Sequence, residues 1–227
     1  GDTMADEYNA QEFIKAKSAM MASNDAIPTE LYCQYDVKKG LRDREGKGVL
    51  TGLTNISRVD GFITEFGVRT PCEGCLWYRG YDIFNIVKGL EGRRFGFEEA
   101  AYLLLFGDLP TADQLTEFNR VLADSREIPT TFTRDVIMKA HSKDIMNSMT
   151  KSVLTLAAYD PDMSDISVEN VLRQCLGLIS VFPMLAVYGL QAYKYYDCDE
   201  SLYIHRPDPE LSTAENILRM LRPDSSF

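Results

Sequence analysis

The chain has 227 residues and a mass of 25.7 kDa, which allows one large domain or two small ones. Hydrophobic residues make up 45% of it and charged residues 26%, a composition that excludes global disorder. A chain of this size can build a core without a disulfide or a metal. The 24 basic and 34 acidic residues give a net charge of −10, which argues against a broad nucleic-acid-binding face.

The cysteines and apolar segments bear on the cellular compartment. Five cysteines, an odd number at irregular spacing, favour a reducing compartment, so we predict a cytoplasmic protein. The first ten residues lack the basic stretch and apolar run of a signal peptide. The longest apolar stretch, 176–190, is shorter than the roughly 20 residues of a membrane span. We therefore interpret it as part of a buried core helix.

The first third of the chain combines a polar helix, a basic loop and a β-rich segment. Residues 7–22 carry a weak apolar stripe at helical spacing. Residues 38–48 form a glycine-punctuated loop, interpreted as solvated surface in preference to an anion contact. Its cations are Lys38, Lys39, Arg42, Arg44 and Lys47. Short apolar runs over 49–84 predict small strands or hairpins, with a turn at TPCEGC (70–75).

Helix signals dominate from residue 97 onward. Over 97–107, Glu98 and Glu99 fall in a first turn, and Gly107 stands where a left-handed C-terminal glycine belongs. Two capping boxes, Thr111 with Gln114 and Ser212 with Glu215, predict the starts of later helices. Helical spacing also predicts helices over 131–141 and 145–156.

The longest predicted helix covers about 168–196 and begins after a capping Ser167. Its middle is apolar on almost every side, so other helices should surround it. Pro183 lies inside it and is predicted to bend it or split it in two.

No pattern assembles an active site from the residues alone. Cys72 and Cys75 form a CxxC, but a structural zinc site needs four ligands and no second pair exists, so two free thiols are favoured. His141 lies at a predicted helix end and His205 in a loop, without a recognisable nucleophile motif. The carboxylate pairs Glu98–Glu99 and Asp160–Asp162 are interpreted as helix-start and turn residues.

Several segments, taken in order, resemble citrate synthase. They are ISRVDG (56–61), YRGYDI (78–83), FEEAAYLLLFGDLP (97–110), DIMNSMTKSVLTLAAYDPD (144–162) and LSTAENILRMLRPD (211–224). The resemblance covers about residues 40–227, and the N-terminal helix and the longer TPCEGC turn resemble a bacterial branch of the family. One departure is Asp144-Ile145-Met146, where many members have His-Pro-Met; it stands at a helix start, and we assign it no catalytic role.

The resemblance implies a mainly α fold. We expect part of a citrate-synthase-like helical large domain, with a small β-hairpin region near residues 49–80. Residues 1–37 would form an N-terminal helical extension, and residues 38–227 the N-terminal part of the large domain. The resemblance also implies a homodimer formed through helices 144–158 and 168–196.

The resemblance implies that the intact enzyme condenses acetyl-CoA with oxaloacetate and water, giving citrate and CoA in the tricarboxylic acid cycle. The family's catalytic groups and small domain belong to segments that would follow Phe227. We therefore assign no catalytic, cofactor-binding or metal-binding residue here, and expect an N-terminal fragment that binds no cofactor and is inactive alone.

Three alternatives stay open at this point. The first is a 2-methylcitrate synthase that uses propionyl-CoA. The second is a non-catalytic helical dimerisation or regulatory module. The third is a metal- or redox-dependent module built on Cys72 and Cys75.

Overall fold

The computed structural model describes residues 17–18, 20–21, 23–24, 26–38, 40–43, 45–49 and 51–226. Contacts between Cα atoms divide the chain into two units, 1–54 and 55–227, whereas the predicted domain boundary at 37/38 stays a prediction. In the first unit, helix α1 spans Thr29–Gln34, and Arg42 pairs with Gly48 in an isolated β-bridge. The predicted helix 7–22 lies mostly outside the described residues; those described within it are helical.

A three-stranded antiparallel sheet opens the second unit. Its strands are β1 (Ser57–Glu65), β2 (Val68–Tyr78) and β3 (Tyr81–Asp82), in that order. Phe66 and Gly67 join β1 to β2 with φ of 52° and 80°, the backbone of a two-residue hairpin turn. The hairpin confirms the predicted β-rich region, but the predicted turn at 70–75 is wrong. Those residues lie inside β2, where Pro and Gly accompany a bulge instead of a chain reversal.

The rest of the second unit is helical, which confirms a mainly α fold. Its helices are α2 (Ile83–Leu90), α3 (Gly96–Phe106), α4 (Ala112–Asp124), a π-helix (Thr133–Met138), α5 (Ile145–Ala157), α6 (Val168–Asp197) and α7 (Thr213–Leu221). The helix predicted over 131–141 is shorter and wider than expected. Thr131, with φ of 71°, cannot begin a right-handed helix, so the helix starts later.

The predicted helix caps are confirmed. Both capping boxes form in full, and the Ser167 side chain accepts a bond from the Asn170 N–H at the start of α6. Gly107 ends α3 with φ of 96°, a left-handed conformation that glycine adopts without a steric penalty. Local side-chain chemistry therefore fixes where these helices begin and end.

Helix α6 lies at the centre of the second unit, in contact with α4, α5, α7 and the π-helix. Its 30 residues make it about 45 Å long. Pro183 does not split it, because these neighbours hold the flanking turns in one helix. The buried core around it comprises Phe132, Ile137, Val181, Met184, Leu185, Val187, Tyr188 and Met220. Among the described residues, α6 is the one helix long and apolar enough to cross a membrane, and half of its most apolar window is buried.

Candidate functional site

The CxxC lies on the hairpin as two half-buried thiols that are not bonded to each other. Cys75 Sγ donates a weak hydrogen bond to the Glu73 carbonyl at 3.4 Å. Among the described residues, no group of three or more His, Cys, Asp or Glu side chains is placed to hold a metal ion.

The two histidines lie at separate places and each contacts a backbone carbonyl. His141 Nδ1 is 3.3 Å from the Met138 carbonyl oxygen at the end of the π-helix, and its ring stacks on Tyr196. His141 Nε2 lies 3.3 Å from Asp197 Oδ2. His205 Nε2 lies 2.9 Å from the Pro223 carbonyl oxygen. Both rings connect loops to helix ends, and the structure does not bring them together in one site.

Two cations of the basic loop in the first unit, Lys38 and Arg42, have local partners. Arg42 Nη1 donates to the Gly46 carbonyl at 2.7 Å, and Lys38 Nζ lies 2.8 Å from Asp36 Oδ1. Lys39 and Arg44 lie outside the described residues. These contacts fit the interpretation of a solvated loop.

A polar cleft of about 440 Å³ is lined by residues of α3 and α4 and the segment that precedes α7. Glu98 is only 2% exposed there and accepts a hydrogen bond of 2.7 Å from the Thr213 N–H. Arg126 donates to the carbonyls of Asp208 and Leu211, and burial lowers the pKa of its guanidinium while the charge of Glu98 raises it. The first-turn position predicted for Glu98 is confirmed. The sequence did not predict that its carboxylate is buried and bonded to Thr213.

An ion pair beside this cleft joins segments that are 121 residues apart. Arg94 Nε and Nη2 each donate to the Glu215 carboxylate at 2.8 Å, and Nη2 also donates to the Glu210 carbonyl. The Arg94 guanidinium lowers the pKa of Glu215 to about 2. The same carboxylate completes the capping box by accepting from the Ser212 N–H at 2.8 Å. The pair therefore anchors the start of α7.

A second cleft, of about 430 Å³, lies between the end of α5 and the first half of α6. Asp160 accepts two hydrogen bonds of 2.8 Å from Arg173 Nη2 and one of 3.0 Å from Gln174 Nε2. These donors, Arg173 first, lower the pKa of the Asp160 carboxyl. The remaining lining is largely apolar and includes Val153, Leu156, Leu178 and Val181. Asp160 therefore follows the end of α5, as predicted, and also forms an ion pair with Arg173 that the sequence did not predict.

Helices α5 and α6 form a layer with one buried and one exposed apolar face. They approach closely where Ser148 meets Gly189: a Cβ built on Gly189 would lie 3.7 Å from the Ser148 Cβ. On the exposed side, Met146 is 72%, Leu154 71% and Phe182 40% accessible to solvent. Asp144 accepts from the Asn147 N–H and caps α5, which confirms the helix start proposed for Asp144-Ile145-Met146. The exposed side chains form the apolar outer surface of this layer.

Comparisons with known proteins agree on the family that this chain resembles. The family model described as citrate synthase, C-terminal domain, matches residues 41–227. Two relatives come from Corynebacterium glutamicum. Its 2-methylcitrate synthase 2 is 29% identical over 82% of this chain and 42% of its own length, and its citrate synthase is 30% identical over 65% and 32%. The chain therefore spans less than half of the length of these relatives.

A solved structure gives the same result for the fold. The citrate synthase from Pyrobaculum aerophilum matches with a TM-score of 0.60 and 25% identity, covering 82% of this chain and 45% of that one. The family model is named for a C-terminal domain, whereas the sequence resemblance assigned the chain to the N-terminal part of the enzyme. That assignment stays a prediction.

Proposed function

Because the chain belongs to the citrate synthase family, we propose that the intact protein condenses acetyl-CoA with oxaloacetate and releases citrate and CoA. The observation that carries this proposal is the family match over residues 41–227, together with the shared fold of the second unit. The activity is proposed for the intact protein because the chain spans only 42% and 32% of the two bacterial relatives.

The proposed condensation needs a base, a donor that stabilises the enolate, and arginines that bind the second substrate. The methyl group of a thioester is a very weak acid, so a carboxylate base must act together with a donor that stabilises the enolate. Arginines suit the carboxylates of the second substrate because they bind them through two hydrogen bonds. In the described part of the second unit, Arg94 and Arg173 already bind Glu215 and Asp160 in this way.

We therefore assign this chain the role of a framework. Glu98, Arg94 and the capping residues fix the start of α7, and the α5–α6 layer supplies a long, packed support. The carbonyl contacts of His141 and His205 fit the same role. On this proposal the base and the donor come from residues outside this sequence.

An assay of CoA release tests the proposal. The purified 227-residue chain is mixed with acetyl-CoA and oxaloacetate, and free thiol is followed with a chromogenic disulfide. The free cysteines of the chain also react with this reagent, so the blank is the chain with acetyl-CoA and no oxaloacetate. We expect no release above that blank, and release by the full product of the gene. Citrate made by the chain alone would disprove the framework role. A full product that is inactive on every acyl-CoA tested would instead favour a non-catalytic dimerisation or regulatory module.

A second candidate differs only in the acyl group. One bacterial relative is a 2-methylcitrate synthase, which makes propionyl-CoA the competing substrate. Its identity to this chain, 29%, is close to the 30% of the citrate synthase, so similarity does not separate the two. The ratio of kcat/KM values of the full product for acetyl-CoA and propionyl-CoA decides between them.

We propose further that the protein is a cytoplasmic homodimer. The cytoplasmic location rests on the use of cysteine, since all the cysteines are free. The dimer rests on the exposed apolar surface of α5 and α6, for which a second copy of this chain is the proposed occupant. Cell fractionation tests the location, and variants that place charge on this surface test the oligomeric state.

A further inference from the structure

The β1–β2 hairpin contains a bulge that surrounds the CxxC. Asp60 pairs with Cys75 and Phe62 pairs with Pro71, so two steps along β1 face four steps along β2. Gly61 alone stands opposite Cys72, Glu73 and Gly74. Such an insertion leaves its residues out of the ladder and bends the strand locally.

The register limits how far apart the two cysteines can lie. Two residues of β1 span about 6.8 Å, and the ladder therefore holds the Cα atoms of Pro71 and Cys75 about that far apart. Fully extended, the same four steps of β2 would cover about 13 Å. Residues 71–75 are therefore contracted relative to an extended strand, which brings Cys72 and Cys75 closer together, towards the Cα separation of about 4.4–6.8 Å that a disulfide needs.

A second observation concerns the direction of one thiol. Cys75 Sγ lies 3.4 Å from the Glu73 carbonyl oxygen, so this side chain lies against the backbone of the bulge that also contains Cys72. Both cysteines are half-buried, which leaves them within reach of a small reagent. Two ligands are too few for a structural zinc site, and no third one is grouped with them in the described residues.

We propose that Cys72 and Cys75 are a thiol–disulfide redox site whose oxidising co-substrate is a small disulfide of the glutathione class. In the first step, one cysteine thiolate attacks a sulfur of the small disulfide, forms a mixed disulfide and releases one small thiol. The second cysteine then attacks the protein sulfur of the mixed disulfide, closes the Cys72–Cys75 bond and releases the second small thiol. Two cysteine sulfurs are oxidised, one small disulfide is reduced, and the two cysteine protons pass to the two small thiols.

The site is independent of the proposed condensation, because it uses only hairpin residues. Its consequence is mechanical: the cross-link closes the bulge and stiffens β2 just before Arg79. That arginine donates to the Leu104 carbonyl through Nε at 3.1 Å and Nη2 at 2.7 Å, and so attaches the hairpin to α3.

The sequence offers a direct readout of the cross-link. Trypsin cleaves after Arg69 and Arg79, and the resulting peptide TPCEGCLWYR (70–79) contains both cysteines. The purified chain is equilibrated in buffers of defined ratios of reduced to oxidised glutathione, the free thiols are alkylated, and this peptide is analysed by mass spectrometry. Loss of two hydrogen atoms without alkylation or an adduct identifies the internal disulfide.

The same titration in urea tests whether the fold contributes. We expect the equilibrium constant for closing the bond to be at least about tenfold larger in the folded chain, because the bulge raises the effective concentration of one thiol near the other. The fluorescence of Trp77, the single tryptophan and two residues beyond Cys75 on β2, should change with the same midpoint. A triple variant, Cys33→Ser, Cys175→Ser and Cys198→Ser, should behave in the same way.

Three results would overturn the proposal. One is a peptide that stays reduced across the glutathione series. Another is a peptide that carries separate glutathione adducts without an internal bond. The third is closure no more favourable in the folded chain than in urea. The double variant Cys72→Ser and Cys75→Ser is the control for the fluorescence change, and the mass readout on the wild-type chain does not depend on that variant folding.

Discussion

Ser148 shows how a single hydroxyl is used where two helices come close. The residue is 5% exposed and faces Gly189 of α6. Within the described part of the chain, its Oγ has no hydrogen-bond partner. One turn later, Ser152 is also buried, but its Oγ donates to the Ser148 carbonyl at 2.8 Å. The small volume of Ser148 thus permits the close approach, whereas its hydroxyl adds only a desolvation cost.

We expect Ser148→Ala to raise the free energy of unfolding by about 1 kcal/mol relative to Ser152→Ala. The first change removes an unpaired buried hydroxyl, and the second removes a hydroxyl that is hydrogen-bonded. Both exchanges bring the same gain in helix propensity, so their difference isolates the hydrogen bond. Urea unfolding followed by circular dichroism measures it.

Equal effects of the two substitutions would contradict this account of Ser148. Ser148→Leu is a useful further variant, because it also removes the hydroxyl but adds volume opposite Gly189. We expect it to lower the unfolding free energy by about 1–3 kcal/mol through overpacking.

At the scale of elements, the sequence predicted what is decided locally. The Thr111 and Ser212 capping boxes, Ser167 and Gly107 each act within four residues, so their patterns can be recognised without a fold. The bulge in β2 could not be recognised in this way, because Pro71 and Gly74 signal a turn as readily as a bulge. The register of β1 decides between the two.

The polar contacts of the clefts escaped prediction for a related reason. Arg94 and Glu215 are 121 residues apart, and Glu98 and Thr213 are 115 apart. Nothing in the spacing of either pair indicates that the fold will bring them together. From the sequence, Glu98 needed no role beyond its place in the first turn of a helix. Only the packing of α3 against α7 shows that its carboxylate is buried.

The Arg94–Glu215 pair should make the stability of α7 depend on pH. The pKa of Glu215 falls from an ordinary 4.5 to about 2 in the folded chain, so its stabilising effect is complete above pH 4.5 and disappears as the pH falls towards 2. We expect Glu215→Gln to lower the unfolding free energy by about 1 kcal/mol at neutral pH, since half-exposed Arg94 is screened by solvent. The difference should shrink below pH 4.5 and be mostly lost near pH 2.

Urea unfolding of both proteins across this pH range tests the expectation. Glutamine preserves the capping box, so the exchange removes the charge and keeps the cap. Exposed Glu117 on α4 is the matched control, and Glu117→Gln should differ little from the wild type in unfolding free energy at neutral pH. A difference between Glu215→Gln and wild type that does not change between pH 7 and pH 2 would show that the ion pair is not its cause.

At the scale of the whole molecule, α6 explains why a partner is expected. The helix packs on α4, α5, α7 and the π-helix, and these neighbours bury Leu185, Tyr188 and Ala192. Phe182 lies on its uncovered side, and α5 adds Met146 and Leu154. Large apolar side chains that are 40–72% exposed on two adjacent helices favour a partner that covers them. Composition could predict that a helix apolar on almost every side would be surrounded, but which neighbours cover it depends on the assembled fold.

If the outer surface of α5 and α6 is the homodimer interface, a charge placed on it should dissociate the protein. We expect the double variant Met146→Lys and Leu154→Lys to sediment as a monomer at concentrations where the wild type is a dimer. Buried lysine would leave an unpaired charge, which costs far more than the lost apolar contact. Analytical ultracentrifugation over a concentration series measures the shift, and circular dichroism verifies that the helices persist.

The control introduces the same lysine charge at a different position. Thr116→Lys adds the same charge at an exposed polar residue of a different helix, α4, and we expect the dimer to survive it. A wild-type chain that is monomeric throughout the series would contradict the interface in this chain. So would a dimer that tolerates both lysines, because a second copy cannot cover two unpaired charges at the centre of a dry interface without losing affinity.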